Sequence, residues 1–206
     1  MVNRRINYRR AKQTKGVYCL ECDWFGAKDR TSVKPALDLV QATYGGRVPH
    51  YFYKTATLQE FDFRLKQWAK PEFNNYPILY LGFHGGSGVI ELTKDKKAVT
   101  LKEIATMLEG KCEYRIIHFG SCSTLSVHGN QINAFLNKTG ALAVCGFGTD
   151  VDWLESAALD VLSLGLLQEI SFTLKGIRKF DRLLRESALG LRNKLKFRIR
   201  WRSANH

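Results

Sequence analysis

The 206 residues are 45% hydrophobic and include 12 Phe, 8 Tyr and 4 Trp, enough for one domain with a sizeable core and too few for a comfortable second one. No uninterrupted apolar run reaches the roughly 20 residues of a membrane helix, and Met1-Val-Asn-Arg-Arg5 lacks the apolar stretch of a secretory signal, so a cytoplasmic protein is expected. The net charge of +13 suggests nucleic acid until it is divided along the chain: residues 1–15 contribute +6 and 173–206 contribute +9, leaving 16–172 at −2.

The basic character therefore belongs to a leader, 1–15, and to a C-terminal segment, 173–206, and not to the body between them. The five cysteines (19, 22, 112, 122 and 145) are odd in number and lie in or beside apolar segments, which suits reduced thiols.

In chain order, Gly16–Trp24 reads as a first strand, and Pro35–Tyr44 as a helix opened by Pro and closed by Gly45-Gly46. Arg47–Thr55 is aromatic and alternating, hence a second strand. From Thr57, a predicted N-cap with Glu60 three residues on, Leu58, Phe61, Leu65 and Trp68 recur at helical spacing. A buried strand over 76–83 follows, then a small hairpin over 88–100 and a helix from Leu101 to Glu109. A strand over 114–119 leads into a helix through Ile132, Phe135 and Leu136, ending at Gly140, and Ala141–Phe147 is the next strand. Helices are predicted over Trp153–Leu167 and Arg178–Leu189, the second stopped by Gly190. The alternation of strands and helices predicts an α/β fold of three layers, with a mostly parallel sheet between helices. Residues 195–201 alternate cation and apolar side chain, as an antiparallel edge strand or a docking strand would.

Two of the apolar strands end in reactive side chains. Tyr76-Pro-Ile-Leu-Tyr-Leu-Gly-Phe stops at His84-Gly85-Gly86, and Tyr114-Arg-Ile-Ile-His-Phe stops at Gly120-Ser121-Cys122. Open α/β sheets keep their chemistry at such carboxyl ends. If the strands are neighbours, His84 and Cys122 face one cleft as base and nucleophile, and a helix after the Cys122 turn would further stabilise the thiolate. The Gly85 and Cys122 N–H groups are the natural oxyanion donors. His118, within the second strand, reads as a core histidine, and His128 as the competing base. Cys19 and Cys22 lie three apart on one strand and face opposite sides, which disfavours a metal site. No cofactor is implied.

The pair Leu79-Tyr-Leu-Gly-Phe-His84-Gly85-Gly86 and Ile116-Ile-His-Phe-Gly-Ser-Cys122 resembles the signature of caspase-like cysteine peptidases, the group that includes caspases, metacaspases, legumain, gingipains, separase and bacterial CHAT domains. The resemblance covers roughly residues 16–153. It implies a caspase-like fold and peptide-bond hydrolysis with His84 as general base, Cys122 as nucleophile and Gly85 in the oxyanion hole. It further implies that Ser121, Gly148, Asp150 and Asp152 shape the pocket for the residue before the scissile bond, where two carboxylates would favour Arg or Lys. The turn reads Gly-Ser-Cys, not the Gln-Ala-Cys of caspases or the Asp-Ser-Cys of metacaspases, so neither specificity transfers directly. The stretch after Cys122 is largely taken up by a helix and leaves no room for a long cleavable linker, so control by a partner or by a mobile hairpin at 88–100 is expected.

His84-Gly-Gly is also similar to the oxyanion motif of α/β-hydrolase esterases, but no Gly-x-Ser-x-Gly elbow occurs in the chain, and neither does a Gly-rich phosphate loop. The alternative from another class is a catalytically silent binding module whose basic termini grip nucleic acid or an acidic partner.

Overall fold

The computed structural model describes residues 15–26, 28–92 and 97–202. The expected basic leader, Lys15 apart, and the hairpin tip at 93–96 lie outside the described residues.

The described chain opens with β1 (Val17–Glu21), α1 (Lys34–Thr43), β2 (His50–Lys54), α2 (Leu58–Trp68), β3 (Ile78–Gly82) and β4 (His84–Gly86). Then come β5 (Val89–Leu92), β6 (Lys97–Thr100), α3 (Leu101–Met107), β7 (Ile116–Phe119), α4 (Gly129–Thr139) and β8 (Ala143–Gly146). The chain continues with α5 (Trp153–Gln168), α6 (Leu174–Lys194) and β9 (Arg198–Trp201). The start of α2 follows its sequence signal, since the Thr57 side chain accepts from the Glu60 N–H at 3.3 Å, and the apolar stripe Phe61, Leu65 and Trp68 is buried. α4 closes at Gly140, which adopts φ 75°, a left-handed conformation that a residue without Cβ takes at no steric cost.

The main sheet has the order β2-β1-β3-β7-β8-β9, parallel throughout except for the antiparallel pairing of β9 with β8. Strand residues alternate between two cores. Val17, Cys19, Ile78, Tyr80, Ile116 and Cys145 face α1, α5 and α6, whereas Tyr18, Leu20, Leu79, Leu81, Ile117 and Phe119 face α2, α3 and α4. The result is a three-layer α/β fold. Each large side chain so buried contributes about 1.5–3 kcal/mol relative to exposure, which is why both faces of the central strands read as continuous apolar runs.

The chain moves from β1 outward to β2 and then returns to β3 on the other side of β1. That reversal opens a crevice above the carboxyl ends of β1 and β3, the usual ligand position in such sheets. The expected hairpin is a three-stranded antiparallel unit, because His84–Gly86 itself pairs with Val89–Glu91.

Three local expectations need correction. α6 does not stop at Gly190: its backbone kinks at Ala188 (φ −149°, ψ 40°) and continues to Lys194. Arg192 bridges the kink by donating to the Asp181 main-chain oxygen at 3.2 Å and to its carboxylate at 2.6 Å, and Leu195 continues the buried face. The final strand begins at Arg198, not 195, since Leu195 still caps the helix and Lys196 turns at φ 45°. The turn at Cys122 does not run directly into a helix, for α4 begins only at Gly129.

Candidate functional site

β3 and β7 are adjacent and parallel, with Leu81 opposite Phe119. His84 and Cys122 each stand three residues beyond that pair, so the two positions follow the ends of neighbouring strands at the same interval. The backbones touch: a Cβ added to Gly85 would lie 2.5 Å from the Cys122 carbonyl oxygen and 2.5 Å from Thr124 Oγ1. Further bonds fix this contact. Ser121 Oγ donates to Leu81 O at 3.1 Å, Thr124 Oγ1 donates to Val89 O at 3.1 Å, and Gly88 N donates to Thr124 O at 3.2 Å. The base of the hairpin is thus tied to the turn that carries Cys122. Ser123 adopts φ 54° within this turn, its N–H donating to Thr149 O and its hydroxyl to Asp150 Oδ1 at 2.7 Å.

Among the five cysteines, Cys122 alone is half-buried; the other four are buried. Cys19 and Cys22 fall into opposite cores, as their spacing predicts. His128, the competing base, is exposed at the N-cap of α4.

The ring of His84 is oriented by a loop that the sequence did not reveal. Its Nε2 lies 2.5 Å from the Trp24 carbonyl oxygen. A carbonyl can only accept, so Nε2 carries the proton and the neutral ring keeps its lone pair on Nδ1. The Trp24 and Phe25 rings meet His84 edge-on, with centroids at 5.1 and 5.9 Å.

That loop is held from beneath by Glu21, the last residue of β1. Its fully buried carboxylate accepts from Trp24 Nε1 at 2.9 Å, Ser32 Oγ at 2.8 Å and Val33 N at 2.6 Å, and pairs with Lys54 at 2.8 Å. A buried carboxylate is tolerable only with such a set of donors and a counter-charge. Burial acts to lower the pKa of Lys54, but the hydrogen bond and charge of Glu21 prevail and raise it.

A small cleft lies beside Cys122, lined by Trp24 and Trp153, whose ring centroids are 4.8 Å apart, and by the buried Tyr80 and Asp160. Beneath it runs a buried polar chain. Tyr80 donates its hydroxyl to Asp160 Oδ2 at 2.5 Å, His118 Nε2 donates to Asp160 Oδ1 at 2.7 Å, and His118 Nδ1 lies 3.3 Å from Cys145 Sγ. Desolvation acts to lower the pKa of His118, but the Asp160 carboxylate and then Cys145 override it and push it up to about 10. The Asp160 carboxylate thus favours the protonated form of the buried His118. Burial, followed by the charge of Asp160, also raises Tyr80 far above the usual phenol range, which keeps its hydroxyl a donor.

The residues expected to shape a substrate pocket are placed as follows. Ser121 is buried and bonded to Leu81. Gly148 donates its N–H to Lys196 O, and an added Cβ would lie 2.9 Å from Arg198 Nε. Asp150 holds Ser123, and Asp152 caps α5 by accepting from the N–H groups of Leu154 and Glu155 at 2.9 and 3.0 Å. None of the four lines the cleft, and neither does His84, whereas Val151 and Trp153 do. Trp24, Glu21, Tyr80 and Asp160 escaped the sequence reading. The one available signal was a carboxylate in the otherwise apolar middle of α5.

The fold and this arrangement describe a three-layer α/β protein with a histidine and a cysteine on adjacent strand ends. The chain belongs to a family defined by sequence, since residues 14–201 match the model described as a family of unknown function, DUF6642. No curated protein matches the chain.

Proposed function

We propose that this protein is a cysteine endopeptidase of caspase-like type, using His84 and Cys122 on protein or peptide substrates inside the cell. The observation that supports it best is that the one half-buried cysteine follows β7 at the position matching that of His84 after the adjacent parallel β3, with the tautomer of His84 set by the Trp24 carbonyl. In this reading Cys122 Sγ attacks the peptide carbonyl carbon while its proton passes to His84 Nδ1. The Gly85 and Cys122 N–H groups face the developing oxyanion. The C–N bond then breaks, the leaving amine takes the proton from His84, and water hydrolyses the thioester to free the thiol. Because the hairpin base is bonded to the Cys122 turn through Thr124 and Gly88, a partner acting on the hairpin would reach the nucleophile.

The test is alkylation of Cys122 by iodoacetamide, followed by intact mass and peptide mapping, beside salt-dependent DNA binding. Reaction faster than that of a free thiol at neutral pH, and slowed by His84→Ala, supports the peptidase. Cys122 reactivity no greater than a free thiol, with steep salt-dependent binding, would indicate the binding module instead.

A further inference from the structure

We propose that the cleft beside Cys122 receives an apolar side chain, such as Leu, Met or Phe, from the residue before the scissile bond, and that it disfavours a cation. This rests on the peptidase reading of His84 and Cys122. The lining carries the inference. Trp24, Trp153, Val33, Ala36, Val151 and Ala157 supply carbon surface, with Cys122 and Gly120 at one end. Trp24 and Trp153 meet edge to face at 82°, a rigid aromatic wall of the kind that favours apolar guests.

The polar groups in the cleft are already engaged. The Ser156 hydroxyl donates to Trp153 O at 3.0 Å, and the Tyr80 hydroxyl donates to Asp160. Both carboxylate oxygens of Asp160 accept hydrogen bonds, one of them from the buried His118, so its charge is balanced before any substrate arrives. An entering Arg or Lys would lose its water and meet a carboxylate whose two oxygens already accept from Tyr80 and His118, which is an unfavourable exchange. Two exposed apolar residues adjoin the aromatic wall in sequence: Phe25, 71% exposed and edge-on to His84, follows Trp24, and Leu154, 76% exposed, follows Trp153 on α5. Single exposed apolar residues are ordinary, but a concave, mostly apolar slot beside a half-buried thiol is a binding feature.

Peptidyl chloromethyl ketones that differ only in the terminal residue (Leu, Phe, Arg, Lys or Asp) test this. Each alkylates Cys122 with a new S–C bond and loss of chloride, and the rates are read by intact mass. The Leu and Phe reagents are expected to react at least tenfold faster than Arg, Lys or Asp, and Ala157→Phe or Ala36→Phe, each filling the slot, to collapse that ratio. Equal or faster reaction of Arg or Lys, or a ratio unchanged in a folded slot-filled variant, overturns the proposal. A second arm does not need a reactive thiol. In Cys122→Ala protein, N-acetyl-leucine methylamide is expected to shift the indole N–H signals of Trp24 and Trp153, and the arginine counterpart to leave them in place. Failure of the leucine amide to shift them overturns the subsite, whereas an inert Cys122 with the shift intact overturns the peptidase reading alone.

Discussion

The Nε2 of His84 lies 2.5 Å from the main-chain oxygen of Trp24. This bond joins the end of β3 to the loop after β1, across the reversal in strand order, and it makes the state of His84 depend on a loop 60 residues earlier. What holds that loop is Glu21, which gathers three donors and a lysine around one buried carboxylate.

Glu21→Ala removes the acceptor of Trp24, Ser32 and Val33 together. A loss of about 3 kcal/mol in unfolding free energy is expected from the unpaired donors, measured by urea titration. Slower Cys122 alkylation is expected in the folded variant, because the Trp24 carbonyl no longer aligns His84. Full alkylation rate in folded Glu21→Ala would show that the loop does not orient the base.

Gly85→Ala places a Cβ 2.5 Å from the Cys122 carbonyl and 2.9 Å from Ser121 Cβ, against backbone that cannot step aside. Forced overpacking of this kind costs about 1–3 kcal/mol. Since the strain falls between the two strand ends, Cys122 reactivity is expected to fall at least tenfold while the thermal midpoint drops by only a few degrees. Gly86→Ala, whose nearest contact is Val89 at 3.4 Å, is the control and is expected to fold with little loss of stability.

Asp152 accepts two N–H groups at the start of α5, so Asp152→Ala is expected to cost about 1 kcal/mol, as the loss of a helix cap does. The order of reactivity among peptidyl electrophiles is expected to stay the same. A loss of reactivity confined to the Arg and Lys reagents in this variant would instead place Asp152 in the substrate pocket.

The His118–Asp160 pair predicts a pH dependence of stability. The imidazole is raised from 6.5 to about 10 on folding, so its contribution is complete below pH 6.5 and is lost as pH climbs toward 10. Breaking a buried pair costs about 3–5 kcal/mol. The stability gap between wild type and His118→Gln is therefore expected to be widest near pH 6 and to narrow toward pH 10 in urea titrations. A gap constant over that range would mean that His118 is neutral in the folded protein.

The sequence carried the elements whose cause is local. The run from Tyr76 to Phe83 is apolar on every residue position that β3 buries, and the stripe Phe61, Leu65 and Trp68 repeats with the helical period that α2 uses. His84 and Cys122 were legible because each ends such a run. What was not legible depends on pairing at a distance. His118 and Cys145 are directly opposite one another only once β7 and β8 are set in register, and Asp160 joins them from α5, 42 residues beyond His118. The Trp24 contact uses a main-chain oxygen, which has no side-chain signature at all. Gly190 misled for the opposite reason: glycine is a stop signal only where the backbone turns left-handed, and here the buried face through Arg192 and Leu195 carries α6 past it.

In the proposed reaction His84 and Cys122 act together on peptide bonds. The most direct measurement is mass spectrometry of a diverse peptide mixture after incubation with wild type, His84→Ala and Cys122→Ala protein of matched fold. New peptide termini are expected with wild type alone, enriched for Leu, Met or Phe before the cut. Cleavage that persists unchanged in Cys122→Ala would contradict the account.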